Sequence, residues 1–353
     1  MPGPLRRVWG HVRVSWPWRK FMSIVNSLWF INWLGQSLFL FGILSIAVFG
    51  IQTTLPYFNP DEYDCWVRTV FGYFLVTEIM VNWLCLKYVG SGYSPFKHGA
   101  MPDNVKIGQK VCASVPSIQN GLDYPYNGDN NKARKDATAV NMMYVATQLP
   151  NGNNNAPERT AFPYFSWTPC LRCNRPRPPR CHHCPLCDNC VLKRDHHCFI
   201  VGVCVGYRNQ RHFIVFLFWC ALGTMYALVN EIPYMYYVVL PHISYLDIFF
   251  PFAIIRAFFG YISWYHTLLI VVCSMDIGFV IWASGFLQVH MSLILRGKTT
   301  FEDDFKITVT DTRNRSQKIA SVFGQYWLLN FLVPMHFVFE PQEDPVKWYY
   351  IRS

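Results

Sequence analysis

Four stretches of this chain are too long and too apolar to rest in water, and they limit its fold more than any other feature. Residues 28–51 contain no charged side chain over 24 positions. At about 1.5 Å rise per residue, such a run crosses a hydrocarbon core of roughly 30 Å with some tilt. It outlasts the apolar part of a secretory leader, and no small-residue cleavage pattern follows it, so it is expected to be a signal anchor. Further spans fit 66–88, 212–234 and 266–295. Glu78 and Asn82 lie inside the second and Asp276 inside the fourth. An acid at membrane depth is expected to face the bundle and pair with a neighbour. The stretch 245–261 is shorter and interrupted by Arg256, and is expected to be re-entrant or interfacial.

Only 15% of the residues are charged and 17% are aromatic. That excludes a disordered chain, which carries few aromatics and much charge. It also argues against an ordinary soluble enzyme, for which roughly 25% charge is typical. The first 20 residues hold Arg6, Arg7, Arg13, Arg19 and Lys20, whereas the loop after the first span holds Asp61, Glu62 and Asp64. The positive-inside rule puts the N-terminus in the cytosol, and four spans return the chain there at Arg296 and Lys298. The predicted layout is a basic cytosolic N-terminus (1–27), two spans (28–88) and a cytosolic low-complexity linker (89–169). A cysteine-rich domain (170–211), two more spans (212–295) and a cytosolic C-terminal region (296–353) follow. The linker is rich in Asn and Gly and shows no sustained periodicity, with room for one short helix near 137–148.

Eight of the 13 cysteines fall within residues 170–204, interleaved with His182, His183, His196 and His197. Cys170-x2-Cys173 and Cys184-x2-Cys187-x2-Cys190 have the spacing at which a tight turn aims two sulfurs at one metal ion. Pro169, Pro176, Pro178, Pro179 and Pro185 disfavour a regular helix or strand, so the segment needs a staple. Disulfides rarely persist in a reducing cytosol, which leaves zinc. Two tetrahedral sites of three Cys and one His would take six Cys and two His and leave two of each. Spacing alone does not say which, since Cys181-x2-Cys184 also fits. Within the remainder, Asp195-His196-His197-Cys198 sets an acid, two imidazoles and a thiol side by side. A free thiol with a pKa near 8.5 is only a few per cent thiolate at neutral pH. An imidazole that takes its proton, itself oriented by a carboxylate, makes it a nucleophile. The bland alternative makes Cys198 one more ligand or a spare thiol.

These residues resemble the cysteine-rich domain of the DHHC protein S-acyltransferases. The resemblance runs through Cys170-Leu171-Arg172-Cys173, His182-His183-Cys184, Cys187, Cys190, Asp195-His196-His197-Cys198, Cys204-Val205-Gly206, Asn209 and Phe213. Thr299-Thr300-Phe301-Glu302 resembles the family's TTxE motif, and Val322-Phe323-Gly324 with Trp327 its aromatic C-terminal segment. The implied fold is an all-α integral membrane protein, with four transmembrane helices and an irregular two-zinc domain inserted between helices 2 and 3.

The resemblance implies one structural zinc on Cys170, Cys173, His183 and Cys190 and a second on Cys184, Cys187, His197 and Cys204. Cys198 becomes the nucleophile, His196 the general base, and Asp195 the group that polarises it. The implied donor is a long-chain acyl-coenzyme A such as palmitoyl-CoA. Arg177, Arg180 and His182 are implied contacts of its headgroup, and Thr299 and Thr300 are grouped with them. The implied partners are the lipid bilayer and proteins with membrane-proximal cytosolic cysteines, with no nucleic acid; an accessory or oligomeric partner is not readable. The implied location is an endomembrane, Golgi or endoplasmic reticulum. Gly223, on the third span, is expected to line the far end of the acyl cavity. Phe199 and Ile200 stand where the family commonly has Pro-Trp, Gly202-Val203 where it has paired Asn, and Lys318 where an Asn is expected. A membrane scaffold whose zinc module only binds partners is the alternative; it would not need Asp195, His196 and Cys198. For the apolar patch 327–339, an interfacial helix and a packing element are both open.

Overall fold

A computed structural model of the chain describes residues 28–59, 61–101, 123–126, 142–146, 159–324, 326–333 and 343–352. The basic segment 1–27, most of the linker and part of the 327–339 patch lie outside them. Four helices are long and apolar enough to cross a membrane, over Trp29–Phe58, Glu62–Tyr88, Gln210–His242 and Trp264–Arg296. Helix α1 (Leu28–Val48) continues through a π-helical turn to Phe58. Helix α2 (Glu62–Tyr88) starts where the Asp61 carboxylate accepts from the backbone N–H groups of Tyr63 and Asp64, a side-chain cap for orphan helix donors. Helix α3 (Gln210–Tyr234) packs against α2 and against α5 (Trp264–Arg296). The α5 C-terminus is set by Gly297 in the left-handed region (φ 72°), where a side chain would be strained.

The stretch 245–261 does not span. Helix α4 (Phe250–Phe258) has nine residues, about 14 Å, far short of the hydrocarbon thickness. Ala253 and Ala257 are buried in a core shared with α5, while Phe250, Phe252, Ile255 and Phe258 are exposed. The Arg256 guanidinium pairs with Asp247 at 2.7 Å. Inside the bundle, Glu78 accepts from Asn82 at 3.2 Å, as expected of a membrane acid. Asp276 also faces the bundle, but it and Glu231 of α3 have no hydrogen-bond partner among the described residues.

Before the cysteine-rich segment, three strands form an antiparallel sheet in the order β1-β2-β3: Asp123–Tyr126, Met142–Ala146 and Arg159–Pro163. Strand β2 stands where a short helix was expected near 137–148. Met143 lies opposite Phe162, and both are buried with Tyr164, Phe301, Ile307 and Ile351. Burial of cross-strand partners outweighs weak local helix preference here. Six further short strands then form three small hairpins.

After α5 come α6 (Thr300–Asp304), α7 (Arg315–Phe323) and a strand pair, β10 (Thr310–Asp311) with β11 (Ile351–Arg352). The chain end folds back over the cysteine-rich segment. Arg313 bridges Asp311 and Glu343 at 2.6 and 2.8 Å, and the Trp348 indole N–H donates to the Pro179 carbonyl. At the junction of α2, the hairpins and α3 sits Asn209, 1% exposed. Its amide donates to the carbonyls of Leu86 and Cys204, and its oxygen accepts from Gly206 N–H and the Ser91 hydroxyl. A buried amide with its bonding groups satisfied fixes the three elements in one register.

Candidate active site and metal centres

The three hairpins pair β4 (Thr168–Cys170) with β5 (Arg175–Arg177), β6 (His182–Cys184) with β7 (Asn189–Val191), and β8 (His196–Cys198) with β9 (Val203–Val205). In the first two, the residue after the second cysteine of the C-x2-C pair turns the chain back: Asn174 at φ 47° and Asp188 at φ 46°. Asn and Asp are the non-glycine residues that best tolerate this left-handed region. In the third turn, Gly202 (φ 79°) takes that role, and a Cβ there would collide with the Gln36 side chain. Gly202 stands where the resemblance leads one to expect Asn, another residue suited to positive φ.

The hairpins bring two sets of four ligand atoms together, each within 4.8 Å of one another: Cys170, Cys173, His183 and Cys190, and Cys184, Cys187, His197 and Cys204. The first hairpin gives Cys170 and Cys173, the third gives His197 and Cys204, and the middle one divides its four ligands between both sets. Neither set can close without that middle hairpin. His183 lies opposite Cys190, and His197 opposite Cys204, in the strand registers.

In the second set, His197 Nδ1 lies 3.6, 3.4 and 3.7 Å from the sulfurs of Cys184, Cys187 and Cys204. In the first, His183 Nδ1 lies 3.4 Å from Cys173 Sγ, which is 3.5 Å from Cys190 Sγ. A tetrahedral zinc with Zn–S about 2.3 Å and Zn–N about 2.0–2.1 Å holds its ligands roughly 3.5–3.8 Å apart. Both donor sets fit zinc. His197 donates its other nitrogen, Nε2–H, to Asn32 Oδ1 of α1 at 3.1 Å, which leaves the Nδ1 lone pair aimed at the sulfurs.

Successive residues of a strand face opposite ways. His197 faces its cysteines, so His196 and Cys198 share the other face of β8. His196 Nδ1 lies 2.7 Å from Asp195 Oδ2. Asp195 is 3% exposed and accepts two more bonds from α6: Thr300 N–H to Oδ1 and Thr300 Oγ1–H to Oδ2, both 2.8 Å. Burial by itself would raise the Asp195 carboxyl, but the His196 hydrogen bond and the charges of His196 and His290 hold it well below the ordinary carboxylate range. Burial would likewise lower the His196 imidazole. Its contacts with Asp195 and Cys198 overcome that and raise it to about 10. An imidazole this ready to hold a second proton is a base for the neighbouring thiol. Cys198 is 7% exposed and belongs to the apolar core formed with Phe213, Phe216 and Val201 at the end of the bundle.

The TTxE-like run seats Asp195. Thr299 caps α6 and accepts from Glu302 N–H, and Glu302 accepts in return from Thr299 N–H at 2.9 Å. Glu302 also forms a two-pronged pair with Arg180, at 2.6 and 2.7 Å, and accepts from Tyr164 O–H. Arg180 and Arg177 are therefore turned inward. Arg177 is 0% exposed and donates to Thr168 Oγ1. His182 is stacked on Phe301, with Nε2 3.1 Å from the Tyr164 hydroxyl; burial and the surrounding arginines hold it well below its usual value, hence neutral. These are the three residues that the resemblance implies as headgroup contacts. Each already has a protein partner, and Thr299 and Thr300 are engaged in the cap and in the Asp195 clasp.

Asn32, Tyr164 and His290 join the site without having been singled out in the sequence. His290 of α5 places Nδ1 3.6 Å from Asp195 Oδ2. No local signal marks them, because each meets its partner only through tertiary packing.

Residues 164–306 match the family model described as DHHC palmitoyltransferase. Over 166 residues the chain is 36% identical to Probable protein S-acyltransferase 14 of Arabidopsis thaliana, covering 45% of this chain and 49% of that protein. It is 32% identical over 168 residues to Probable protein S-acyltransferase 13 of the same plant, covering 45% and 50%. It is also 32% identical over 162 residues to Palmitoyltransferase ZDHHC22 of Mus musculus, covering 45% and 61%. The chain thus spans about half the length of the first two of these curated relatives. Two interleaved ligand sets, an Asp195-His196-Cys198 cluster held by the TTxE-like run and this match point the same way: residues 164–306 of the chain are similar to a DHHC palmitoyltransferase domain.

Proposed function

We propose that this protein is a membrane-embedded protein S-acyltransferase that moves a long-chain acyl group from acyl-CoA to cysteines of other proteins. The observation that carries the reading is buried Asp195 paired with half-buried His196, 2.7 Å apart, with Cys198 on the same strand face as His196. His196 takes the Cys198 proton as the sulfur attacks the acyl thioester carbonyl. The bond to the coenzyme A sulfur breaks, the coenzyme takes up the proton held by His196, and an acyl group remains on Cys198. A cysteine thiol of the acceptor protein then gives its proton to His196 and attacks the same carbonyl, and Cys198 leaves with the proton returned. This is two-step covalent catalysis. Zinc in the two donor sets would supply rigidity, with four protein ligands each and no open position for water.

The basic flanks Arg296 and Lys298 and the acidic loop at Asp61, Glu62 and Asp64 support a cytosolic active site; the endomembrane location rests on the family likeness alone. Acceptors are then proteins held near the membrane surface. The acyl tail runs from Cys198 into the apolar core among the spans. A scaffold that only binds partners would need the eight ligands but not the threefold clasp on Asp195.

Incubation of the purified full chain with labelled palmitoyl-CoA tests the reading. The expected result is hydroxylamine-sensitive label on the wild type and none on Cys198→Ser with its zinc retained. Equal label on Cys198→Ser would refute the assignment.

A further inference from the structure

The geometry points to His290, on the last spanning helix, as a positioning residue for the Asp195–His196 relay. The inference rests on the acyl-transfer reading for its consequence but on packing for its content. His290 is 3% exposed and its Nδ1 lies 3.6 Å from Asp195 Oδ2, the same oxygen that meets His196 Nδ1 at 2.7 Å. Ligand atoms of Asp195, His196 and His290 all lie within 4.8 Å of one another. The two imidazole rings are 5.3 Å apart, and Phe213 of α3 stands edge-on to both, at 5.0 Å from His196 and 4.8 Å from His290. Phe286, one turn earlier on α5, stacks on the His290 ring.

The Asp195 carboxylate is thus held from three directions. Thr300 of α6 binds both oxygens, His196 binds one of them from β8, and His290 meets that same oxygen from inside the bundle. A carboxylate that orients a general base must not rotate as the base gains and loses its proton. A misplacement of about 1 Å can cost roughly a hundredfold in rate. Thr300 alone leaves Oδ2 with two donors drawing it towards α6 and β8. With its proton on Nδ1, His290 adds an N–H dipole from α5, so the plane of the carboxylate stays fixed while charge moves onto His196. His290 and Thr300 also flank the Gly297 turn that ends α5, so the end of a membrane span and the start of α6 meet on one carboxylate. His290 touches no reacting atom and acts through Asp195.

Two substitutions separate this role from packing. Asn places an amide N–H where His290 Nδ1 stands, whereas Phe keeps a ring between Phe213 and Phe286 but has no donor. The full-length, zinc-loaded protein is read in two ways: alkylation of Cys198 by iodoacetamide, followed on the Cys198 peptide by mass spectrometry, and single-turnover acylation by palmitoyl-CoA. Loss of orientation by His290→Phe is expected to slow both about tenfold at unchanged KM for palmitoyl-CoA, with His290→Asn within about twofold of wild type. A wild-type rate in His290→Phe would overturn the inference. So would equal slowing of both variants, or loss of zinc from His290→Phe, since either makes the residue a packing element. Alkylation needs no acyl-CoA, so the two claims fail separately. A wild type that never accepts an acyl group while its alkylation still depends on residue 290 sinks the transfer reading alone.

Discussion

Asn32 lies in an uncharged run whose composition speaks only of lipid, yet its amide oxygen fixes the orientation of His197. The partner is 165 residues away in sequence, so nothing local could have disclosed it. Removing such a support lowers metal affinity by roughly 10–100-fold in known zinc sites. Asn32→Ala is therefore expected to release one of two zinc ions at lower chelator concentration, with the other unchanged. Titration with a chromogenic chelator reads this directly, and a single unshifted transition would show that Asn32 is idle. The cluster Asp195, His196 and Cys198 stood out in the sequence because it is local: an acid, an imidazole and a thiol within four residues. Its supports were not, since Thr300 lies 105 residues from Asp195 and His290 reaches it from a different membrane helix.

At the scale of elements, the hairpins carry a lesson about proline. Five prolines argued against regular strands, and yet Pro169 and Pro176 sit opposite each other in the β4–β5 ribbon. A two-stranded ribbon consists only of edges, where a missing N–H removes no second ladder. The strands are three residues long and need the ligands as staples, so strand periodicity could not have revealed them. The ligand grouping came from resemblance to a family, and spacing left it open; the hairpin registers give it a physical basis.

Helix α6 is seated by the Arg180–Glu302 pair, whose side chains are 1% and 0% exposed. Removing one partner of a buried pair leaves an uncompensated charge and costs about 3–5 kcal/mol, whereas replacing both with apolar residues is often near neutral. Glu302→Leu alone is expected to lower the melting temperature and the acylation rate together, because Thr300 moves with α6. Arg180→Met with Glu302→Leu is expected to recover most of the stability. Thermal unfolding of single and double variants measures this coupling, and additive losses would show that the pair does not act as a unit.

At the scale of the whole molecule, the spans were the most legible part, because a charge-free run of such length has few alternatives. Their mutual packing was not legible. Gly223 meets α2 so closely that a Cβ would approach Ile79 Cδ1 to 2.9 Å. It lines an apolar crevice with Ile43, Ile46, Leu75 and Ile79, whose free volume is about 40 Å³. Gly223 lies about 20 Å along α3 from its start near the active site, the depth of a long acyl tail. Gly223→Trp is expected to shift the preferred donor from palmitoyl towards shorter acyl-CoAs, and an unchanged chain-length profile would place the tail elsewhere.

The central claim is that Cys198 carries the acyl group between donor and acceptor. Rapid mixing of the purified chain with palmitoyl-CoA, without acceptor protein, measures coenzyme A release before steady state. The expected result is a burst of about one coenzyme A per chain, matched by acyl adduct on the Cys198 peptide and absent in Cys198→Ser. Release without a burst, or a burst that survives in Cys198→Ser, would contradict it.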